Sequence, residues 1–138
     1  MEITWHTDFA QAWRDRISHN RLPHAVLLTG RIGVGKRAAA AWIVRQWLGI
    51  GPESALPTHP AQRPEHADLR WVEPPEDKKA IGIDQIRDLV GDLSLTSYEG
   101  TGKVAVIDPA NAMTVHAANS LLKTLEEPPG NALLVLIA

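Results

Sequence analysis

Apolar runs and amphipathic segments alternate along this chain, and the alternation predicts four strands and four helices. Short segments typical of strands occupy residues 25–29, 68–72, 104–107 and 133–137; residues 68–72 alternate between polar and apolar, and the other three are mainly apolar runs. Apolar residues spaced three and four apart, which are typical of helices, recur in residues 8–20, 36–48, 84–95 and 114–126. Because helices and strands take turns, the pattern predicts an α/β fold, a parallel sheet with helices on both faces.

Two of these elements carry a more specific expectation about burial. The first strand is apolar without interruption, so we expect it to be buried on both faces, as central parallel strands are. In the last helix four apolar residues fall on one side, which predicts the side that packs on the core. These residues are Val115, Ala118, Leu122 and Leu125.

Residues 50–67 separate the second helix from the second strand. They contain four prolines and show no periodicity, which predicts an irregular loop. Two histidines, His59 and His66, lie in this loop. Because neither has a cysteine or a clear carboxylate partner, they fall short of a metal site, and we expect them to be solvated.

A glycine-rich turn joins the first strand to the second helix and ends in a lysine. Its spacing, Gly-x4-Gly-Lys between a strand and a helix, is typical of a phosphate-binding P-loop. Glycines let successive backbone N–H groups point at an anion, and the helix N-terminus and the lysine add positive charge. The candidate phosphate-binding residues are Gly30, Gly33, Val34, Gly35, Lys36 and Arg37. The alternative is a turn that only packs strand against helix.

Two positions depart from the pattern of a working nucleotidase. The residue after the P-loop lysine is normally Ser or Thr, whose hydroxyl binds Mg²⁺, whereas here it is Arg37. Asp108 ends the third strand at the Walker-B position, where an aspartate helps to hold the same metal ion; its alternative role is a turn cap. The next residue is Pro109, which has no group to act as a base. Together the two departures argue against hydrolysis, and we assign no catalytic residue and no metal site.

Composition and charge narrow the class of protein, its cellular compartment and its expected affinity for DNA. The chain has 138 residues, 44% of them apolar and 22% charged, with no run approaching a membrane span. It has no cysteine, which excludes disulfides and thiolate metal sites, and its start lacks the features of a secretory signal; both favour the cytoplasm. With a net charge of −2, we expect the isolated chain to bind DNA poorly. The candidate basic residues for DNA contact are scattered and offset by acids; they are Lys78, Lys79, Arg87 and Lys103.

Three stretches together resemble the AAA+ family of clamp loaders. They are LPHAVLLTGRIGVGK, KVAVIDPANAMTVHAANSLLKTLEEPP and LLVLIA, and the run NSLLKTLEEPP is very specific to that family. The IDPA segment, with IGIDQIRDL upstream, is similar to the delta-prime type of subunit in bacterial DNA polymerase III. The resemblance is weakest across residues 50–67, where the family commonly carries a four-cysteine zinc module. Because this chain has no cysteine, zinc is not expected.

The resemblance implies an architecture and partners. Residues 1–138 would form a P-loop AAA+ domain of Rossmann-like build, followed in the family by a helical lid and a helical collar. Those parts, and the arginine that the family supplies to a neighbouring ATP site, would lie beyond this chain. The implied partners are other loader subunits in a hetero-pentamer and, through that complex, the sliding clamp and primed DNA. No membrane is implied.

Two functions stay open at this point. The first is a loader subunit without ATPase activity, a stator against which the ATP-hydrolysing subunits of a DNA polymerase holoenzyme move. The second is an active AAA+ ATPase with unusual magnesium ligands, in which Asp108 holds the metal through water. A variant of the first leaves Lys36 and Arg37 holding phosphate or ATP without magnesium. No cofactor is required by the first function.

Overall fold

A computed structural model describes residues 2–18, 25–30, 35–51, 56–59, 61, 63–95, 102–126 and 132–138. The strands are β1 (Ala25–Leu28), β2 (Leu69–Val72), β3 (Val104–Ile107) and β4 (Leu133–Ile137). The α-helices are α1 (Thr7–Ser18), α2 (Lys36–Leu48), α3 (Ile83–Leu93) and α4 (Val115–Glu126). Short 3-10 turns at Thr4–His6 and Ala110–Ala112 precede α1 and α4. The predicted order of helices and strands is therefore confirmed.

The four strands form one parallel sheet in the order β1-β4-β3-β2. Pairing runs along the full length of β1, with Ala25 opposite Leu134 and Leu28 opposite Ile137, and Val104 of β3 lies opposite Leu133. Because all strands run the same way, their carboxyl ends meet at one edge. The turns after β1, β3 and β4 therefore come together there.

Helices cover both faces of the sheet, which confirms the predicted α/β class. On one face, Trp13 of α1 and Ile43 of α2 pack with Val106 and Val135 of the central strands. On the other face, Leu89 of α3 and its neighbours pack with the intervening strand positions. That second cluster includes Ile86, Leu93, Ala117, Leu121, Ala105, Ile107 and Leu134. Alternating side chains of β3 and β4 thus supply both halves of the core.

The prediction that β1 is buried on both faces is wrong. Leu27 is 59% exposed, and the other three β1 residues are half-buried. Among the described strands, β1 pairs with β4 only, so it lies at an edge of the sheet. The apolar run therefore predicted the strand correctly. Whether a strand is central or at an edge of the sheet depends on how the whole chain packs, which the run itself does not indicate.

The buried side of α4 also differs from the predicted one. Ala117, Leu121 and Thr124 face the core, and the predicted Leu125 is partly buried against it, whereas Val115 and Leu122 are 73% and 55% exposed. Both sets are spaced three or four residues apart, so periodicity alone cannot choose between them. Thr114 begins the helix, because its Oγ1 accepts a hydrogen bond of 3.1 Å from the Ala117 amide.

The described part of the loop between α2 and β2 is tied to the start of the chain. The Ile3 amide donates to the Pro57 carbonyl at 2.6 Å, and Glu2 forms an isolated antiparallel bridge with Thr58. His66 was expected to be solvated, but it is half-buried and its Nδ1 accepts a hydrogen bond of 3.0 Å from the Asp68 amide. His59 is exposed, as expected.

Lys103 is not available to nucleic acid, contrary to its place among the candidate basic residues. It is buried at the amino end of β3, with Nζ 3.5 Å from Asp92 Oδ1 and 3.9 Å from Asp68 Oδ1. Two carboxylates therefore surround its charge. The other three basic residues, Lys78, Lys79 and Arg87, are exposed. In the described part of the chain, no helix is long and apolar enough to cross a membrane.

Candidate functional site

The carboxyl edge of the sheet carries the candidate site. The end of the glycine turn, the first turn of α2 and the residues after β3 and β4 meet there and line a cavity of about 760 Å³. The charged residues of its lining are Lys36, Arg37, Asp108 and, from the N-terminal segment, Glu2; Trp5 and His59 contribute rings. Ligands of open α/β sheets bind at this edge, so the fold places the predicted residues where such a site belongs.

Gly35 precedes α2 and adopts a left-handed backbone, with φ +85°. A β-carbon at this position would lie 2.9 Å from Ile3 Cδ1 and 3.0 Å from His6 Cε1. Ile3 and His6 of the N-terminal segment therefore pack directly against Gly35. Only glycine satisfies both the backbone conformation and this close approach.

The Lys36 ammonium bonds to the protein's own carbonyl groups. Its Nζ donates to the Gly30 oxygen at 2.9 Å and to the Ala138 oxygen at 2.7 Å. Gly30 follows β1 and Ala138 follows β4, and these two strands are neighbours. Lys36 therefore ties the turn after β1 to the end of β4.

Arg37 and Asp108 form a direct ion pair across the site. Arg37 Nε donates to Asp108 Oδ2 at 2.8 Å, joining residues 71 positions apart. The arginine side chain is 66% exposed, whereas the aspartate side chain is 2% exposed. The partnership is therefore asymmetric, because a buried carboxylate needs a positive partner far more than a solvated guanidinium needs a negative one.

The donor set does not fit a magnesium ion. A P-loop enzyme uses a Ser or Thr hydroxyl and the Walker-B carboxylate as two ligands of one metal. Here the first position is a guanidinium, which has no lone pair to offer a metal ion. The second position already accepts a charged hydrogen bond from it. Arg37 and Asp108 bond to each other. They therefore do not provide the pair of magnesium ligands that an active AAA+ ATPase, the second of the two functions left open by the sequence, would use.

Pro109 occupies the position where an active enzyme of this build carries a base. Its ring lines the cavity beside Asp108, and the peptide bond between the two residues is cis. Proline has neither an N–H group nor an ionisable side chain. The side chain at this position therefore cannot orient or deprotonate water.

Most of the predicted site residues lie together, and some contacts were not predicted. Gly30, Gly35, Lys36, Arg37 and Asp108 all lie at the carboxyl edge of the sheet. Gly33 and Val34 lie outside the described residues. The contacts of Ile3, His6 and Ala138 were missed, and nothing in their local sequence indicates them. The contact between Arg37 and Asp108 could have been predicted from the sequence, because the two residues have opposite charges and occupy positions that normally bind one metal ion.

Comparison with known proteins identifies relatives over nearly the whole chain. Residues 5–138 match the family model described as DNA polymerase III, delta subunit. The chain is 43% identical over 121 residues to DNA polymerase III subunit delta' of Pseudomonas aeruginosa, covering 83% of this chain and 37% of that protein. It is 38% identical over 126 residues to the Bacillus subtilis subunit delta', covering 88% and 38%.

A solved structure shares the fold. The crystal structure of a DNA polymerase III gamma subunit-related protein from Thermotoga maritima superimposes with a TM-score of 0.71 and 25% identity. The match covers 94% of this chain and 38% of that one. The chain therefore spans under two fifths of the length of these relatives.

Proposed function

This chain belongs to the delta-prime subunit family of bacterial DNA polymerase III, and from this premise we propose that it is a clamp-loader subunit that does not hydrolyse ATP. In this role the domain is a stator, a rigid body against which the ATP-hydrolysing subunits move. Its partners are the other subunits of a hetero-pentamer. Through the complex it acts on the sliding clamp and primed DNA, in the cytoplasm.

One observation carries the proposal, the ion pair between Arg37 and Asp108. The two positions that bind magnesium in a P-loop ATPase are bonded to each other at 2.8 Å. A nucleotide held here would lack the metal that neutralises charge on the transferred phosphoryl group. Pro109 adds a second deficit, the missing base. Each deficit blocks a different part of the same reaction.

The hydrogen bonds of Lys36 support a structural role for this residue. Its two bonds to backbone carbonyls join neighbouring strands through the first turn of α2. Four consecutive alanines that follow Arg37 are all buried, so the helix lies close against the sheet. These contacts give Lys36 a structural role that needs no turnover of a ligand, which supports the stator proposal.

The distribution of basic residues supports action through a complex. Lys103 is buried between carboxylates, and Lys78 and Lys79 share a turn with Glu76 and Asp77. These three lysines therefore do not form a cluster of unopposed cations for phosphate contacts. DNA binding in this proposal belongs to the assembled loader.

Clamp loading on primed DNA tests the role, using a complex reconstituted from full-length subunits. We expect loading to be lost when this subunit is omitted and restored when it is added back. We expect Lys36→Ala to lower the melting temperature, because two hydrogen bonds are lost, and yet to load within about twofold of the wild type once assembled, because no step uses nucleotide at this site. Lys78→Ala, on an exposed turn, is the matched control.

Two results would contradict the proposal. One is undiminished loading without the subunit, which would remove it from the loader. The other is a loss of about tenfold or more for Lys36→Ala in a complex that still assembles fully, while Lys78→Ala is unaffected. That outcome would make the subunit a nucleotide-driven part of the machine.

A further inference from the structure

The site pairs two residues whose counterparts in P-loop enzymes hold the same magnesium ion. Arg37 is the second residue of α2, and Asp108 follows β3, with β4 between β1 and β3 in the sheet. Their counterparts in an active enzyme are joined through a magnesium ion. Here the guanidinium Nε lies 2.8 Å from the carboxylate Oδ2 with nothing between them.

We propose that the Arg37 guanidinium is a built-in replacement for magnesium, and that it alone excludes the metal from an otherwise intact pair of positions. The inference rests on the proposed function, in which the loop does not hydrolyse ATP. It adds that any polyphosphate reaching this cavity binds without a metal ion. It also adds that the exclusion is reversible by one substitution.

Burial explains why the arginine excludes the metal so effectively. Asp108 is 2% exposed, so its carboxylate gains little from water and depends on a cationic partner. Arg37 provides that partner within the same chain, at a fixed distance and without loss of translational freedom. A magnesium ion would have to displace it, approach a positive charge and give up part of a tightly held water shell.

The rest of the metal-binding edge remains in place. Asp108 keeps its position through the bond of its amide to the Val72 carbonyl at 2.9 Å, which does not involve Arg37. Lys36 keeps its position through its bonds to Gly30 and Ala138. Replacing Arg37 by threonine therefore restores the hydroxyl of a P-loop enzyme beside a carboxylate that has lost its cation.

The test is calorimetric titration of ADP into the full-length protein, once with excess Mg²⁺ and once with EDTA. The variants are Arg37→Thr and a matched control, Arg45→Thr, at an arginine in the last turn of the same helix that donates to the Gly51 carbonyl at 2.8 Å. We expect magnesium to tighten ADP binding by about tenfold or more in Arg37→Thr. We expect no magnesium dependence in the wild type or in Arg45→Thr.

Three outcomes would overturn the inference: magnesium-dependent binding by the wild type, no magnesium dependence in Arg37→Thr, or an equal gain in Arg45→Thr. If Arg37→Thr does not fold, the wild type alone decides. Its melting temperature with ADP must be the same in Mg²⁺ and in EDTA, and a higher value in Mg²⁺ contradicts the inference. Failure here leaves the stator role standing, since that role is tested by clamp loading.

Discussion

At the scale of single residues, four positions explain the site: Gly35, Lys36, Arg37 and Pro109. Arg37 holds Asp108, and Lys36 holds two backbone carbonyls. Gly35 accommodates the N-terminal segment, and Pro109 has nothing to offer a water molecule. Among the described side chains, those that would hold magnesium or activate water in an enzyme are therefore either absent or engaged with the protein itself.

Gly35→Ala tests how closely Ile3 and His6 pack against Gly35. We expect it to lower the free energy of unfolding by about 2–4 kcal/mol, because a left-handed residue with a β-carbon is strained and that carbon meets Ile3 and His6. The measurement is the melting temperature or the denaturant midpoint of the full-length protein.

Two other glycines separate the causes of that loss. Gly49 is also left-handed, with φ +66°, but a β-carbon there would meet nothing within 4 Å. Gly49→Ala should therefore cost about 1 kcal/mol, from backbone strain alone. Gly91 lies inside α3 with open space around it, so Gly91→Ala should stabilise by about 1 kcal/mol. A Gly35→Ala loss no larger than that of Gly49→Ala would refute the close packing of the N-terminal segment.

At the scale of elements, periodicity was a good guide to the identity of helices and strands and a poor guide to their surroundings. The bounds of β3 and β4 agree with prediction because both strands are buried and uniformly apolar. The burial of β1 could not be predicted, since an edge strand and a central strand can have the same sequence. The buried side of α4 was predicted wrongly because the helix carries two apolar stripes.

Two adjacent leucines of α4 test which stripe faces the core. Leu121 is buried and Leu122 is 55% exposed. We expect Leu121→Ala to destabilise the full-length protein by about 2–4 kcal/mol, because it leaves a cavity in the core. Leu122→Ala should cost less than about 1 kcal/mol. Denaturant titration compares the two, and equal losses would mean that the helix is rotated from the orientation described here.

At the scale of the whole molecule, the sheet separates two charged regions. The amino end of β3 holds the buried Lys103 between Asp68 and Asp92. The carboxyl edge holds the Arg37–Asp108 pair beside the cavity. The sequence predicted the second region in part: it showed that the metal ligand was lost, but not that the replacing arginine occupies the partner ligand. Distance along the chain hid that contact, because only the parallel sheet brings α2 and the end of β3 together.

The central claim is that this P-loop domain is catalytically silent, and the most direct test is ATP turnover by the full-length protein alone. The assay is run with Mg²⁺ on the wild type and on Lys36→Ala, which controls for contaminating ATPases. We predict that the two preparations release phosphate at the same background rate. The reason is that Arg37 replaces a metal ligand and Pro109 occupies the position of the base. Turnover by the wild type that depends on Mg²⁺ and disappears in Lys36→Ala would contradict the account.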